Sequence, residues 1–293
     1  MNSAGNTKPL CIAWQEAHHD LSRSPVVKIS IITVNLNQAD GLAKTLDSVR
    51  EQAFRDFEHI VVDGGSTDGS LEVIKARSDG LAFWVSEPDA GIYAAMNKGL
   101  RRAQGEYVYF LNSGDRLYSP DTLERVFAHE ERGEDLLYGN TVRPDAAGNL
   151  YEHRHPDVLT VGVFWDFGVC QQAIFYRREL FAALGEFDES FRIAGDWDFD
   201  LRVLMARRTA RHLPFPVAHY QGGGISTTRK DLAAREKEII WRRHLPEAVY
   251  RDYERLMFLK KEYRQLKSLR GWAASFPAIL LDFLANRKNK VGL

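Results

Sequence analysis

EYVYFLNSGD, residues 106–115, decides the fold. Tyr107, Val108, Tyr109, Phe110 and Leu111 follow one another without polar alternation, and the run stops abruptly on Asn112, Ser113, Gly114 and Asp115. A strand whose side chains are apolar on both sides is covered on both faces, as a central strand of a parallel sheet is. In open α/β sheets, ligands gather beyond the carboxyl ends of such strands. An acid there is placed to hold a divalent metal and, through it, a phosphate. The plainer reading is a turn aspartate.

Working outward, the first half alternates strands and helices. Residues 26–34 (VVKISIITV), 59–62 and 82–85 read as strands. Residues 40–53, with Leu42, Leu46 and Val49 at helical spacing, 70–77 and 92–103 read as helices, and Ser119-Pro120 opens another as cap plus first-turn proline. Such alternation predicts a parallel, right-handed, doubly wound sheet. In the second half, residues 136–142 and 173–176 look like strands, 197–206 a helix and 211–220 an extended segment. Residues 231–270 are charged and helical, interrupted at Pro246. The expected division is an irregular arm (1–25), one α/β domain (26–230) and a helical C-terminal extension (231–293).

Composition narrows the class. A chain of 293 residues, 44% apolar and 27% charged, is globular and long enough for a substantial core. Its net charge, 39 − 40 = −1, gives no reason to expect nucleic acid as a partner. The two cysteines, Cys11 and Cys170, have no metal-like spacing, so a reducing compartment is the expectation. Residues 1–25 lack the basic start and apolar block of a signal peptide, and no apolar run reaches the ~18 residues of a spanning helix. A cytoplasmic location is expected.

Four strand ends carry polar clusters, and a doubly wound sheet brings them to one rim. Asn35 and Asn37 follow the first strand, Asp63 through Gly69 the second, Glu87 and Asp89 the third, and Asn112 through Asp115 the fourth. Each has a reading as cap or turn, and Asp68 and Ser70 are taken as helix-entry residues. Four together exceed what capping requires. Gly64-Gly65 removes side chains where a flat base or ribose approaches the backbone. DGGSTDGS lacks the G-x-G-x-x-G spacing, and no P-loop occurs. Carboxylates and a metal in place of a glycine cradle suggest a nucleotide-sugar site.

VKISIITVNLN, VVDGGSTDGS, SEPDAGIYAAMNKG and EYVYFLNSGD, with GEFDESFRIAGDWDFDLRV and GGGIST further on, resemble in order and spacing the motifs of family-2 glycosyltransferases of the GT-A fold. The resemblance covers about residues 27–228 and is nearest to transferases that build bacterial polysaccharides. It implies that Asp63 contacts the nucleoside with Thr33, Asn35 and Asn37 beside it, and that Asp89 and Lys98 belong to the donor site, Lys98 suiting a phosphate. It makes the fourth cluster the metal motif, with Asp115 as metal carboxylate and Asn112 and Ser113 on the donor. Family members often carry further acids where Gly64, Asn112 and Gly114 stand here. Metal binding would then depend on one protein carboxylate plus diphosphate oxygens, which suits Mg²⁺ or Mn²⁺ arriving with substrate.

An inverting transferase needs a carboxylate to deprotonate the acceptor hydroxyl. Asp196 matches the family's general-base position and is preferred over Asp198, while Trp197 and Asp198 are assigned to the acceptor side. Asp200 is read as a solvated helix residue and Asp188 as a turn residue. His219 is a candidate metal ligand, with a buried hydrogen-bonded histidine the favoured alternative. The glycine run, Ser226 and Arg229 suit a loop over the donor phosphates. Cys170, Gln171 and Gln172 border the acceptor pocket, and His153, His155, Trp165 and Phe167 are either core or rim.

Residues 260–293 hold eight basic residues against two acidic ones around GWAASFPAILLDFLAN. This segment is either an interfacial helix drawn to an anionic membrane surface, at the cytoplasmic face of the inner membrane, or a segment packed on the parent domain or a dimer partner. The expected activity is metal-dependent transfer of a sugar from a nucleotide-diphosphate donor to a hydroxyl of a glycan or lipid-linked oligosaccharide. A nucleotide-sugar-binding module without activity is the alternative. A nucleotidyltransferase would need a glycine- and lysine-rich loop after strand one, which NLNQADGLAK is not.

Overall fold

The computed structural model describes residues 27–128, 133–166, 168–224 and 228–269. Two compact units divide the chain, residues 1–238 and 239–293. The first is built on a nine-stranded sheet. Its strands are β1 (Val27–Asn35), β2 (Phe57–Asp63), β3 (Phe83–Ser86), β4 (Gly105–Phe110), β5 (Arg116–Leu117), β6 (Leu136–Pro144), β7 (Leu150–His153), β8 (Ile174–Arg177) and β9 (Ala210–His219). They lie in the order β3-β2-β1-β4-β8-β6-β9-β5, with β7 paired to β6.

The run at 107–111 is the central strand its composition demands: all five residues are fully buried. β1, β2, β3 and β4 are mutually parallel. Helices cover both faces. On one, α1 (Ala39–Arg50) and α2 (Ser70–Lys75) close over Val61 and Trp84 through Leu42, Leu46 and Ile74. On the other, α3 (Ile92–Leu100) packs so tightly that a Cβ at Gly99 would lie 2.5 Å from Ile32. β2 and β1 residues adjacent in sequence face opposite ways, so Val61 meets α1 while Ile32 meets α3.

Beyond β4 the sheet becomes mixed. β8 runs antiparallel to β4 and to β6, whereas β9 runs parallel to β6. The start of β8 and the ends of β6 and β9 therefore reach the same rim as the ends of β1–β4. β5 and β7 have no counterpart in the sequence reading: β5 has only two residues, and β7 (LYEH) is largely exposed and carries no sustained apolar run.

α4 (Thr122–Ala128), α5 (Val161–Asp166), α6 (Glu179–Leu184) and α7 (Gly195–Met205) complete the layers. α7 is fixed by an aromatic cluster in which Phe199 stacks on Phe181 at 4.2 Å and meets Tyr176 and Phe187 edge-on. Burying each such ring contributes about 1.5–3 kcal/mol. α8 (Lys230–His244) runs from the first unit into the second, and α9 (Glu247–Leu269) follows Pro246. Among the described residues, no helix is long and apolar enough to cross a membrane. The arm at 1–25 and the apolar segment at 271–286 lie outside the described residues.

Candidate active site

The ends of β1 and β2 are tied by one carboxylate. Asp63 accepts from Asn35 Nδ2 (2.7 Å) and Ser66 Oγ at one oxygen, and from the Ser66 N–H (2.9 Å) and Ser86 Oγ (2.7 Å) at the other. Burial alone would raise its pKa; the Ser66, Ser86 and Asn35 hydrogen bonds outweigh that and hold it below the ordinary carboxylate range. Its four acceptor positions are taken and it has no exposed surface, so it organises three strand ends. What it leaves toward a ligand is Asn35 Oδ1, a buried acceptor without a partner among the described residues. Asn37 binds the same turn, its N–H donating to Ser66 Oγ (2.7 Å) and its Oδ1 accepting from the Thr67 N–H (2.9 Å).

Thr33 lies one layer deeper than the rim. It is fully buried and hydrogen-bonded to His59 Nε2 at 3.0 Å, so its side chain is used inside the fold and does not reach the rim. Asp68 is the helix-entry residue expected, accepting from Ser70 and from the Ala39 N–H that opens α1.

Gly64 explains a missing acid. A Cβ there would lie 2.8 Å from Asp89 Oδ2 and 3.3 Å from Leu36, so the space a second carboxylate would occupy is filled by Asp89 itself. Asp89 in turn accepts from the Gly91 N–H (2.9 Å) and sets the start of α3. Lys98 sits farther along that helix and is paired with Glu87 at 2.7 Å, a carboxylate partner where a phosphate was expected.

The fourth cluster stays beside β1, since the Leu111 and Ser113 N–H groups continue the ladder to Ile32 O and Val34 O. Asp115 is 5% exposed. Burial lifts its pKa to about 7, against the lowering effects of the Gln221 N–H, the Gln172 side chain and the Arg143 charge. Gln221 N–H donates to Asp115 Oδ1 at 2.9 Å. Thr45 of α1, unremarked in the sequence, holds the loop: its hydroxyl donates to Asp115 O (2.7 Å) and accepts from the Gly114 N–H (3.0 Å). Gly114 has φ +97° and a Cβ there would meet Gln221 Oε1 at 2.3 Å, so an acid at 114 would strain the backbone and displace the Gln221 side chain.

No group of three His, Cys, Asp or Glu side chains assembles for a metal among the described residues. Three residues before Asp115, and joined to it by the Asp115 N–H to Asn112 O bond, Asn112 has a buried Oδ1 with no hydrogen-bond partner. A carboxylate and an amide oxygen, both short of compensation, fit a hard divalent cation that keeps other positions for substrate oxygens. The His219 ring stacks on Tyr118 at 5.2 Å, and its backbone pairs with Arg116.

Asp196 opens α7 and retains some exposure. Tyr93, in the first turn of α3, donates toward Asp196 Oδ1 (2.9 Å) and Ile193 O (2.6 Å). Burial raises the Asp196 pKa, while Tyr93, the Trp197 N–H and Lys237 favour its charged form. The contact chain Asp63–Gly64–Asp89–Gly91–Tyr93–Asp196 thus runs along one rim. Cys170, driven to about 12 by burial, lies close enough to both Asp115 and Asp196 to feel their charges.

Two residues expected on the acceptor side are turned inward. Asp198 is 1% exposed and pairs with Arg202 at 3.0 Å, whose guanidinium also donates to the carbonyls of Leu184, Gly185 and Glu186. It fastens α7 to the preceding loop. Trp197 is 5% exposed, under Gly168 on one side and Lys237 on the other. Asp200, read as solvated, is buried and accepts from Tyr176 OH at 2.8 Å; burial and the nearby Asp196 charge raise its pKa well above the usual range. The second turn of α7 faces the sheet through Asp200 and Tyr176 of β8, which a run as polar as GDWDFD disguises.

The model of glycosyl transferase family 2 matches residues 30–195. The PGL/p-HBAD biosynthesis glycosyltransferase of Mycobacterium tuberculosis is 36% identical over 215 residues, covering 69% of this chain and 80% of its own. An uncharacterized glycosyltransferase of the same species is 38% identical over 182 residues, 60% and 69% of the two chains. Among solved structures, the mannosyltransferase PcManGT of Pyrobaculum calidifontis, in complex with GDP-Man and Mn²⁺, superposes with a TM-score of 0.58 at 20% identity, over 94% of this chain and 83% of that one. Residues 1–349 of S. aureus TarS, in complex with UDP-GlcNAc, give 0.57 at 21% identity, over 67% and 59%. These likenesses bear on the fold, which is of the GT-A type. With more than half its length matched by the family model, and with relatives at this identity, the chain belongs to glycosyl transferase family 2 and is a glycosyltransferase.

Proposed function

We propose that this glycosyltransferase is inverting and metal-dependent, moving a sugar from a nucleotide-diphosphate donor to a hydroxyl of a glycan or lipid-linked oligosaccharide in cell-surface polysaccharide synthesis. The observation that carries the reading is the pair of acids at one rim: Asp115, buried with too little compensation, and Asp196, partly exposed and made basic by burial. The nucleotide-sugars bound by PcManGT and TarS support the donor class.

In this reading the nucleoside lies over Gly64-Gly65, with Asn35 Oδ1 as its acceptor and Asp89 at its edge. Asp115 and Asn112 would hold Mg²⁺ or Mn²⁺, which would supply charge stabilisation to the departing diphosphate. Asp196 takes the acceptor proton while the hydroxyl oxygen attacks the anomeric carbon from the opposite face. The Trp197 N–H, Tyr93 and Lys237 favour its charged form, against the burial that raises its pKa.

The test is Asp196→Asn. Transfer falls by at least about 10³-fold, while donor binding, followed as a thermal shift with Mn²⁺, stays intact. Undiminished turnover by that variant removes Asp196 from the mechanism, and transfer that survives a chelator removes the metal.

A further inference from the structure

Resting on the reading of Asp196 as the base, we propose that Glu236 and Lys237, consecutive residues of α8, are positioning residues that hold this base and its loop in the reactive geometry. The loop before α7 presents three backbone N–H groups in succession, from Arg192, Ile193 and Ala194, and helix geometry gives them no intrahelical acceptor. The N-cap position is Ala194, whose side chain supplies no acceptor either. Glu236 fills the gap from 42 to 44 residues away: Oε1 accepts from the Arg192 N–H at 2.8 Å, and Oε2 from the Ile193 and Ala194 N–H groups, each at 2.9 Å. Its carboxylate is 5% exposed, so these are desolvated, charge-assisted bonds.

The consequence reaches Asp196 within two residues. Ile193, held through its N–H by Glu236, gives its carbonyl to Tyr93 OH at 2.6 Å, and the same hydroxyl lies 2.9 Å from Asp196 Oδ1. Loop, tyrosine and base form one hydrogen-bonded frame, closed from outside by a side chain remote in sequence. Neighbouring residues on a helix diverge by about 100°. Lys237 accordingly takes the other side, its ammonium 4.0 Å from the centroid of the Trp197 ring, where its charge favours the ionised form of Asp196. A cap serving stability alone needs neither the cation nor the link through Tyr93.

The experiment compares the full-length chain with Glu236→Gln and Lys237→Met by hydrogen exchange, by kcat and KM for donor and acceptor, and by the pH dependence of kcat. UDP-GlcNAc and GDP-mannose with Mn²⁺ are the donor probes. Glu236→Gln is expected to speed exchange of the 192–194 amides more than tenfold and to lower kcat about 10- to 100-fold, with donor KM within about twofold, the scale of loss for a slightly misplaced catalytic group. Lys237→Met, which removes no backbone hydrogen bond, is expected to move the acidic limb of the kcat profile to higher pH, because the carboxylate loses a favourable charge. Neither variant lowers transfer further in an Asp196→Asn background. Unchanged exchange at 192–194 in Glu236→Gln overturns the proposal, as does an unmoved acidic limb in Lys237→Met. If Asp196→Asn is inactive while both variants behave as wild type, the positioning role falls and the base survives. An active Asp196→Asn removes both.

Discussion

Replacing Asp115 by Asn should make the metal-free protein more stable and inactive, and the structure gives the size and sign. Burial raises the Asp115 pKa from its ordinary 3.8 to about 7. Below about pH 4 the group is protonated whether the chain is folded or unfolded, and costs nothing. Between about pH 4 and 7 the unfolded chain has released the proton and the folded one still holds it, so stability falls as pH rises. Above about 7 both forms are ionised and the folded state carries the full penalty. A rise of about three pH units at about 1.36 kcal/mol each is about 4 kcal/mol, and local relaxation reduces this to about 2–4. Asparagine keeps an oxygen for the Gln221 N–H and has no charge to bury. In chelator at pH 8, Asp115→Asn should therefore melt about 5–15 °C above wild type, a gap that closes by pH 4. Added Mn²⁺ with nucleoside diphosphate should raise the wild-type Tm and leave the variant unmoved. A variant less stable than wild type at pH 8, or a gap independent of pH, would refute the argument that Asp115 is a buried carboxylate with too little compensation.

Other substitutions separate the structural acids from the functional ones. Arg202→Met strands the buried Asp198 and three carbonyls, and should cost about 3–5 kcal/mol in urea unfolding; a loss of acceptor affinity without loss of stability would return Asp198 to the binding site. Ser86→Ala removes one of the hydrogen bonds that depress the Asp63 pKa, at about 1 kcal/mol. Because a depressed carboxylate stabilises the fold above its unfolded pKa and loses this as pH falls through the folded one, acid unfolding should move to higher pH, and an unchanged midpoint would count against Asp63 as the knot of the strand ends. Thr45→Val unties Asp115 O and the Gly114 N–H, and should cost about 1–3 kcal/mol with weaker Mn²⁺ dependence of turnover. Unaltered metal dependence would deny the loop that role.

The sequence by itself determined the parallel half of the sheet and the chain order of its helices, because a strand covered on both faces must be apolar throughout and a helix on its face must be apolar every three to four residues. Those are local periodicities, and 107–111 or Leu42, Leu46 and Val49 display them without help. It also put the polar clusters at one rim, since parallel strands end together. What only the tertiary structure decided is which polar side chains have their hydrogen bonds met inside the fold. Asp63, Asp89, Asp115, Asp196, Asp198 and Asp200 are one residue type, yet Asp63 is saturated by four donors, Asp198 is neutralised by Arg202, Asp200 is buried against Tyr176, and Asp115 is buried with too little compensation. The partners of Asp63, Asp200 and Asp115 come from Ser86, Tyr176 and Gln221, whose nearness depends on strand order and on the antiparallel return of β8, whereas Arg202 stands one helical turn from Asp198. Glu236 is the extreme case: in sequence it is one charge in a charged helix, and only folding brings it to the three N–H groups in front of Asp196. An acid's chemistry depends on solvation and on the donors around it, and pairings across 23 to 106 residues leave no period for a sequence to show.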